Sequence, residues 1–153
     1  MAGRRRGEIP RPTALTAVKA GGLTGAQIYI YLFMKIWKLN LYHNIFPYVA
    51  SGKKTIEGRA WSEKRDYRKM KRGDKIVFSD LGSKKTATVI VCSVKHYKTV
   101  KAYLEGEGLK KCLPWAESLA EGIGIYYGIA EDWEGRIRTR GIFAIRIQLE
   151  KKF

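Results

Sequence analysis

From Met34 onward the chain is a series of strand-length apolar runs, each closed by a turn signal, and this punctuation limits it to a small sheet-based fold. Residues 35–41 place Ile36, Leu39 and Leu41 on a half-buried pattern, with Trp37 beside them. Residues 54–61 read as a second strand. Arg72-Gly73-Asp74 turns the chain into Lys75-Ile76-Val77-Phe78, a third. After Leu81-Gly82, residues 86–94 carry Thr88, Val89, Ile90 and Val91, the β-branched content of a long fourth strand. Residues 141–149 alternate at their end and form the last. Helical spacing is confined to two insertions. Ile45, Phe46, Tyr48 and Val49 predict a helix that starts near Ile45 or Phe46, because Pro47 is tolerated only in a first turn, and that stops at Gly52. Residues 62–72 are a charged loop or short helical excursion. Residues 99–105 and 109–112 predict short helices, and Pro114 opens another over 114–120. Over 122–130 helix and strand are not separable. The expected class is α+β: a small mixed β-barrel with helices in two insertions.

Residues 1–33 differ. Arg4, Arg5, Arg6, Arg11 and Lys19 face the single acid Glu8, while Pro10, Pro12, Gly21, Gly22 and Gly25 break any periodicity. The segment reads as a loose basic arm, with residues 28–33 a strand or merely a sticky run. Three origins compete: a nucleic-acid-binding tail, an organellar presequence, or a stretch upstream of a true start at Met34. The third is favoured, because the patterned domain begins immediately afterwards. The domain is then 34–153.

Charge narrows function. Thirty Lys and Arg against 14 Asp and Glu give a net charge of +16, which favours polyanions: nucleic acid first, an anionic membrane surface second. No apolar run approaches the ~20 residues of a membrane span. Cys92, Cys112, His43 and His96 lack the paired spacing of a metal site, so neither metal nor cofactor is expected. Two cysteines make no disulfide scaffold and suggest a reducing, cytoplasmic location. Cys92 is expected to be buried and inert, and the histidines structural or superficial.

The densest chemistry lies in Gly52-Lys53-Lys54-Thr55-Ile56-Glu57-Gly58-Arg59. In an extended strand Glu57 and Arg59 share a face, so they can pair or line one pocket. Lys54 has the other parity, but it sits at the strand entrance, where a turn can swing it round. As an isolated pattern these would be solvated surface charges. Residues 53–75 add context, with ten bases against four acids and with Trp61 and Tyr67 among them. Cations interleaved with aromatics suit single-stranded RNA, whose bases stack on rings while its phosphates meet cations. The expected nucleic-acid contacts are Lys53, Lys54, Glu57, Arg59, Trp61, Lys64, Arg65 and Arg68. Trp37, Phe78 and Phe143 read as core. Trp115, Tyr126, Tyr127 and Trp133 either roof a cleft or close the barrel. Arg136, Arg138 and Arg140 form a second basic ridge if the last strand extends back to them.

Gly52-x-Lys54-x-x-Glu57-x-Arg59, following a helix and preceding the Lys71-x-Gly73-Asp74 turn, resembles the signature of the ASCH domain family. The resemblance runs from about Met34 to Lys152 and is nearest to short archaeal members. It implies a β-barrel similar to the PUA RNA-binding domain and RNA binding through the cleft that carries the signature. Some members are amidohydrolases that remove the acetyl group from N4-acetylcytidine, and ribonuclease activity is attributed to others. In the amidohydrolase type, the lysine matching Lys54 acts beside a threonine nucleophile and a downstream glutamate. Glu57 holds the threonine's place here, Thr55 has the wrong parity to substitute, and Glu105 or Glu107 would match the downstream acid. Catalysis, if any, would rest on Lys54 and Glu57: a carboxylate beside an ammonium can activate water, while Arg59 holds a developing oxyanion. The same trio serves binding equally well, with cations on phosphates and Glu57 on a base edge or ribose hydroxyl.

Overall fold

The computed structural model describes residues 22–151. Most of the arm expected over 1–33 therefore lies outside the described residues. Five strands form one sheet: β1 (Ile36–Leu41), β2 (Ile56–Ala60), β3 (Lys75–Asp80), β4 (Thr86–Tyr97) and β5 (Ile142–Leu149), in the order β1-β3-β4-β5-β2. β1 runs parallel to β3, and the remaining neighbours are antiparallel. Helix α1 (Gly25–Phe33) precedes the sheet. Helix α2 (Phe46–Ala50) occupies the first insertion, and α3 (Val100–Glu107), α4 (Leu109–Cys112), α5 (Leu119–Tyr127) and α6 (Trp133–Arg140) occupy the second. This is the α+β architecture with two helical insertions that the strand pattern predicts.

The sheet curls, and each face encloses its own core. Trp37, Leu39, Ile76, Phe78, Val89, Val91, Phe143 and Ile145 fill the concave side, as their strand alternation requires. On the convex side Ile56, Ala60, Ile142 and Ala144 pack beneath Val100, Tyr103, Leu104, Leu113, Tyr126 and Ile137 of the second insertion. β5 is thus covered on both faces, which accounts for its unbroken apolar start, Ile142 to Ile145. Asp74, fully buried in the turn before β3, ties that turn to β1: its carboxylate accepts from Lys35 N, Trp37 Nε1 and Lys71 N at 3.0–3.1 Å. Lys35 directly precedes β1, Trp37 lies within it, and Lys71 belongs to the turn itself.

Two local expectations are corrected, one open reading is resolved and one conditional reading is not met. Residues 28–33 are neither strand nor loose run but part of α1, whose start is a reciprocal cap: Gln27 N donates to Thr24 Oγ1 and Thr24 N to Gln27 Oε1. No helix begins at Pro114. The chain turns there, and α5 starts only at Leu119, where the Ser118 hydroxyl accepts from Glu121 N. Residues 122–127 accordingly resolve as helix. Arg136, Arg138 and Arg140 lie on α6, not on a backward extension of β5, because Gly141 ends that helix with φ of +81° before the strand begins.

Candidate nucleic-acid interface at the sheet seam

β2 and β1 are the two edges of the curled sheet, and the signature side chains sit where those edges approach. Helix α2 ends at Ser51, and Gly52 takes a φ of +79°, which reverses the chain. Lys54 N then donates to Tyr48 O. That reversal overrides strand parity and swings the Lys54 side chain to the side of Glu57. Lys54 Nζ donates to Ile56 O at 2.6 Å and to Cys112 O, and lies 3.7 Å from Glu57 Oε1. From β2 itself Glu57 and Arg59 share the concave face, with Arg59 Nη2 3.4 Å from Glu57 Oε2. Arg59 Nη2 also donates to the Asn40 carbonyl of β1 at 2.7 Å, across the seam. Lys54, Glu57 and Arg59 therefore converge in one chain of charges.

The three differ in access. The Lys54 side chain is 1% exposed and that of Arg59 16%. Burial holds the Lys54 ammonium below the ordinary lysine range, opposed by the attraction of Glu57. Lys54 thus stands behind Glu57 and not on the cleft surface, whereas Glu57 and Arg59 line it. Gly58, between them, faces the convex core, where Tyr103 and Tyr126 meet edge-to-face and share a 2.8 Å hydroxyl contact. A Cβ on Gly58 would lie 2.7 Å from the Tyr103 hydroxyl and 2.7 Å from a Tyr126 ring carbon, so only glycine admits the tyrosine pair there. Burial raises both phenols well above their ordinary range.

The cleft holds about 200 Å³. Its floor is Asn40, Glu57 and Arg59, and its walls are apolar: Tyr42, Ile45, Leu81, Ile129 and Trp133. Tyr42 and Leu81 are exposed, and the Tyr42 hydroxyl donates to Ile129 O at 3.0 Å, fastening β1's end to the α5–α6 connection. Of the four aromatics expected to roof a cleft or close the barrel, only Trp133 lines this one. Tyr126 is core, Trp115 packs on Tyr48 at 4.8 Å, and Tyr127 meets the Arg138 guanidinium at 4.8 Å.

β2 leads from this cleft into a second surface. Trp61 follows Arg59 by two residues and stacks on Phe143 at 6.0 Å, and the guanidiniums of Arg68 and Arg140 lie 4.7 and 4.9 Å from its ring. Arg136 Nε donates to Trp61 O at 2.6 Å. Trp61, Lys64, Arg136 and Arg140 border a cavity of about 670 Å³, together with the acids Glu63 and Asp132. Arg68 is also held by Asp66, with contacts of 2.8 and 3.0 Å. Lys53, Lys64 and Arg65 are exposed.

Two expected residues lie elsewhere. Glu105 is exposed on α3, and Glu107 borders another cavity, so neither shares the cleft with Glu57. Cys92 is half-buried and borders the same cavity as Glu107, instead of being sealed in the sheet. His43 pairs with Asp80 at 2.8 Å, and His96 lies against Phe143. Spacing did not reveal Tyr42, Leu81 or Ile129 as site neighbours, and it offered no signal for them; Arg136 and Arg140, legible as a basic ridge, reach Trp61 from α6. Among the described residues, no group of three His, Cys, Asp or Glu could hold a metal, and no helix is long and apolar enough to cross a membrane.

A family model described as the ASCH domain matches residues 39–143. The chain is similar to the crystal structure of the hypothetical protein PH0355, at 35% identity over 75% of this chain and 99% of that one, with a TM-score of 0.64. It is similar to the solution structure of protein PF0455 from Pyrococcus furiosus at 32% identity, over 76% of this chain and 99% of that one, with a TM-score of 0.58. A serine-to-alanine mutant of ZmASCH from Zymomonas mobilis shares 14% identity over 74% of this chain and 67% of that one; its TM-score of 0.51 speaks for the fold alone. No curated protein matches the chain significantly.

Proposed function

The chain belongs to the ASCH domain family, with its PUA-like α+β fold generally linked to RNA binding, and from that premise we propose that it binds single-stranded RNA with one unstacked base in the seam cleft. The observation that carries this reading is the pairing of Glu57 and Arg59 at the floor of an apolar, Trp133-walled cleft. Glu57 supplies an acceptor and Arg59 a donor, the complement of the mixed donor–acceptor edge of a nucleobase. About 200 Å³ suits one planar base better than a drug-sized ligand, which needs about 300 Å³ or more. Beside the cleft, Arg68 and Arg140 over Trp61 offer guanidinium planes and positive charge to the neighbouring nucleotides.

The test is binding of a fluorescent single-stranded oligoribonucleotide over a salt series. Arg68→Gln with Arg140→Gln should flatten the dependence of log affinity on log salt by about 1.4, roughly 0.7 for each lost phosphate contact. Glu57→Gln should change the preferred base. Lys38→Gln with Lys85→Gln, which border none of these cavities, serves as the control. Equal behaviour of control and site variants would sink the proposal.

A second reading, a hydrolase acting on a modified nucleoside or RNA, is favoured by the buried Lys54 beside Glu57. Glu57 would take a proton from water, and Arg59 would hold the oxyanion that forms. Incubation with N4-acetylcytidine and with labelled RNA decides it; absence of product at high protein concentration removes it.

A further inference from the structure

On the convex side of the sheet, away from the seam cleft, lies a cavity of about 490 Å³ bordered by Lys95, Lys111 and Arg146. The three cations come from three elements, β4, α4 and β5, so only the tertiary fold assembles them. We propose that this cavity is a phosphate-binding site, taking the phosphate group of a ribonucleotide or of an RNA backbone.

The cavity is shaped by an irregularity in β4. Val91 pairs with Ile147 and Ser93 with Arg146, leaving Cys92 as the extra residue of a bulge. Val91 remains buried in the concave core, while the consecutive residues Cys92 and Ser93 both border the convex cavity. A regular strand would send one of them to the other face. The bulge therefore brings a hydroxyl opposite Arg146, and Thr55 and Gln148 add further polar groups to the wall.

Two of its three cations are available. Neither Arg146 nor Lys111 makes an ion pair among the described residues, and both are exposed. The one carboxylate at the wall, Glu107, is already engaged: it accepts from the Tyr97 hydroxyl at 3.1 Å and lies 4.0 Å from Lys95 Nζ. Lys95 offsets Glu107, and the remaining two positive charges, on Arg146 and Lys111, favour an anion. A guanidinium fork with two ammonium groups and a hydroxyl suits the tetrahedral oxygens of phosphate.

The site borders the signature segment without using its cleft residues. Lys111 O accepts from Thr55 N, and the next carbonyl, Cys112 O, accepts from Lys54 Nζ. The phosphate site stands independently of base binding at the seam, although an RNA held there is one source of the phosphate.

The test titrates full-length protein with inorganic phosphate, and separately with a ribonucleoside 5′-monophosphate, while following backbone amide resonances. The amides of Ser93, Lys111 and Arg146 should shift in the wild type, and Arg146→Gln with Lys111→Gln should weaken both titrations about tenfold. Arg146→Lys should retain most of the affinity, which separates lost charge from lost fold. No shift at these amides, or equal titrations in wild type and double variant, overturns the proposal. RNA binding over a salt series then identifies the source. A slope flattened by the same double variant assigns the site to backbone phosphate, and an unchanged slope with phosphate still bound assigns it to a free nucleotide. Failure of the wild type to bind any RNA would refute the seam reading while leaving the phosphate titration to decide this one.

Discussion

The Arg59 guanidinium donates to the Asn40 carbonyl at 2.7 Å and so joins the two edge strands of a sheet whose hydrogen-bonded order never makes them neighbours. Edge carbonyls unpaired with another strand need a partner. Here one side chain supplies it and also contacts Glu57, so seam closure and the cleft floor depend on the same group. Arg59→Gln should lower stability by about 2–4 kcal/mol, since it leaves Glu57 with one buried cation instead of two. Arg59→Lys should recover only part, because the shorter, flexible ammonium lacks the rigid planar guanidinium that holds one Nη2 against both partners. Urea denaturation of the three proteins measures this, and a wild-type midpoint in Arg59→Gln would contradict it.

Lys54 should make stability depend on alkaline pH. Burial lowers its folded-state value below the ordinary 10.5. Between those two values the unfolded chain binds more protons than the folded one, so stability rises with pH through that window. The penalty is complete below the folded value and relieved toward 10.5. Tyr103 and Tyr126, raised by burial, act oppositely and subtract stability once pH passes their ordinary 10.0. As pH rises toward 10.5 the wild type should therefore gain stability relative to Lys54→Met. A constant difference between the two unfolding curves across that range would show that Lys54 titrates normally.

Gly58→Ala should cost about 1–3 kcal/mol through overpacking against the tyrosine pair, with no change in charge. Adding Tyr103→Phe removes the hydroxyl that the new methyl meets and should return part of the loss. Thermal melts of the single and double variants give the comparison; strictly additive losses would argue against that contact.

Asp74→Asn should cost about 2–4 kcal/mol, because a carboxylate that accepts from three N–H donors is replaced by an amide that turns its own donors toward them. The near-ultraviolet signal of Trp37 should change with it, since its indole loses a 3.0 Å acceptor. An unaltered melting temperature would mean that the turn is held by other contacts.

Local rules made much of the chain legible. The turn at Arg72-Gly73-Asp74, the stop at Gly52 and the alternation of β5 are short-range consequences of glycine conformation and strand period. Strand parity alone put Glu57 and Arg59 on one face. It left Arg136, Arg138 and Arg140 open, because alternating charges fit an exposed helix as well as a strand, and only the structure shows Gly141 separating α6 from β5. The cap at Thr24 and Gln27 lies among glycines that break the helical pattern, so local spacing does not announce α1.

By itself, then, the sequence determined the α+β class, the family signature and the excess of positive charge, all properties of residue type and near-neighbour spacing. Tertiary structure alone decided that Lys54 is buried behind Glu57, that Asn40 meets Arg59, and that Lys95, Lys111 and Arg146 surround one cavity. Those juxtapositions depend on sheet curl, on one bulge and on helix docking. Each is set by packing between residues distant in the chain, which local spacing does not encode.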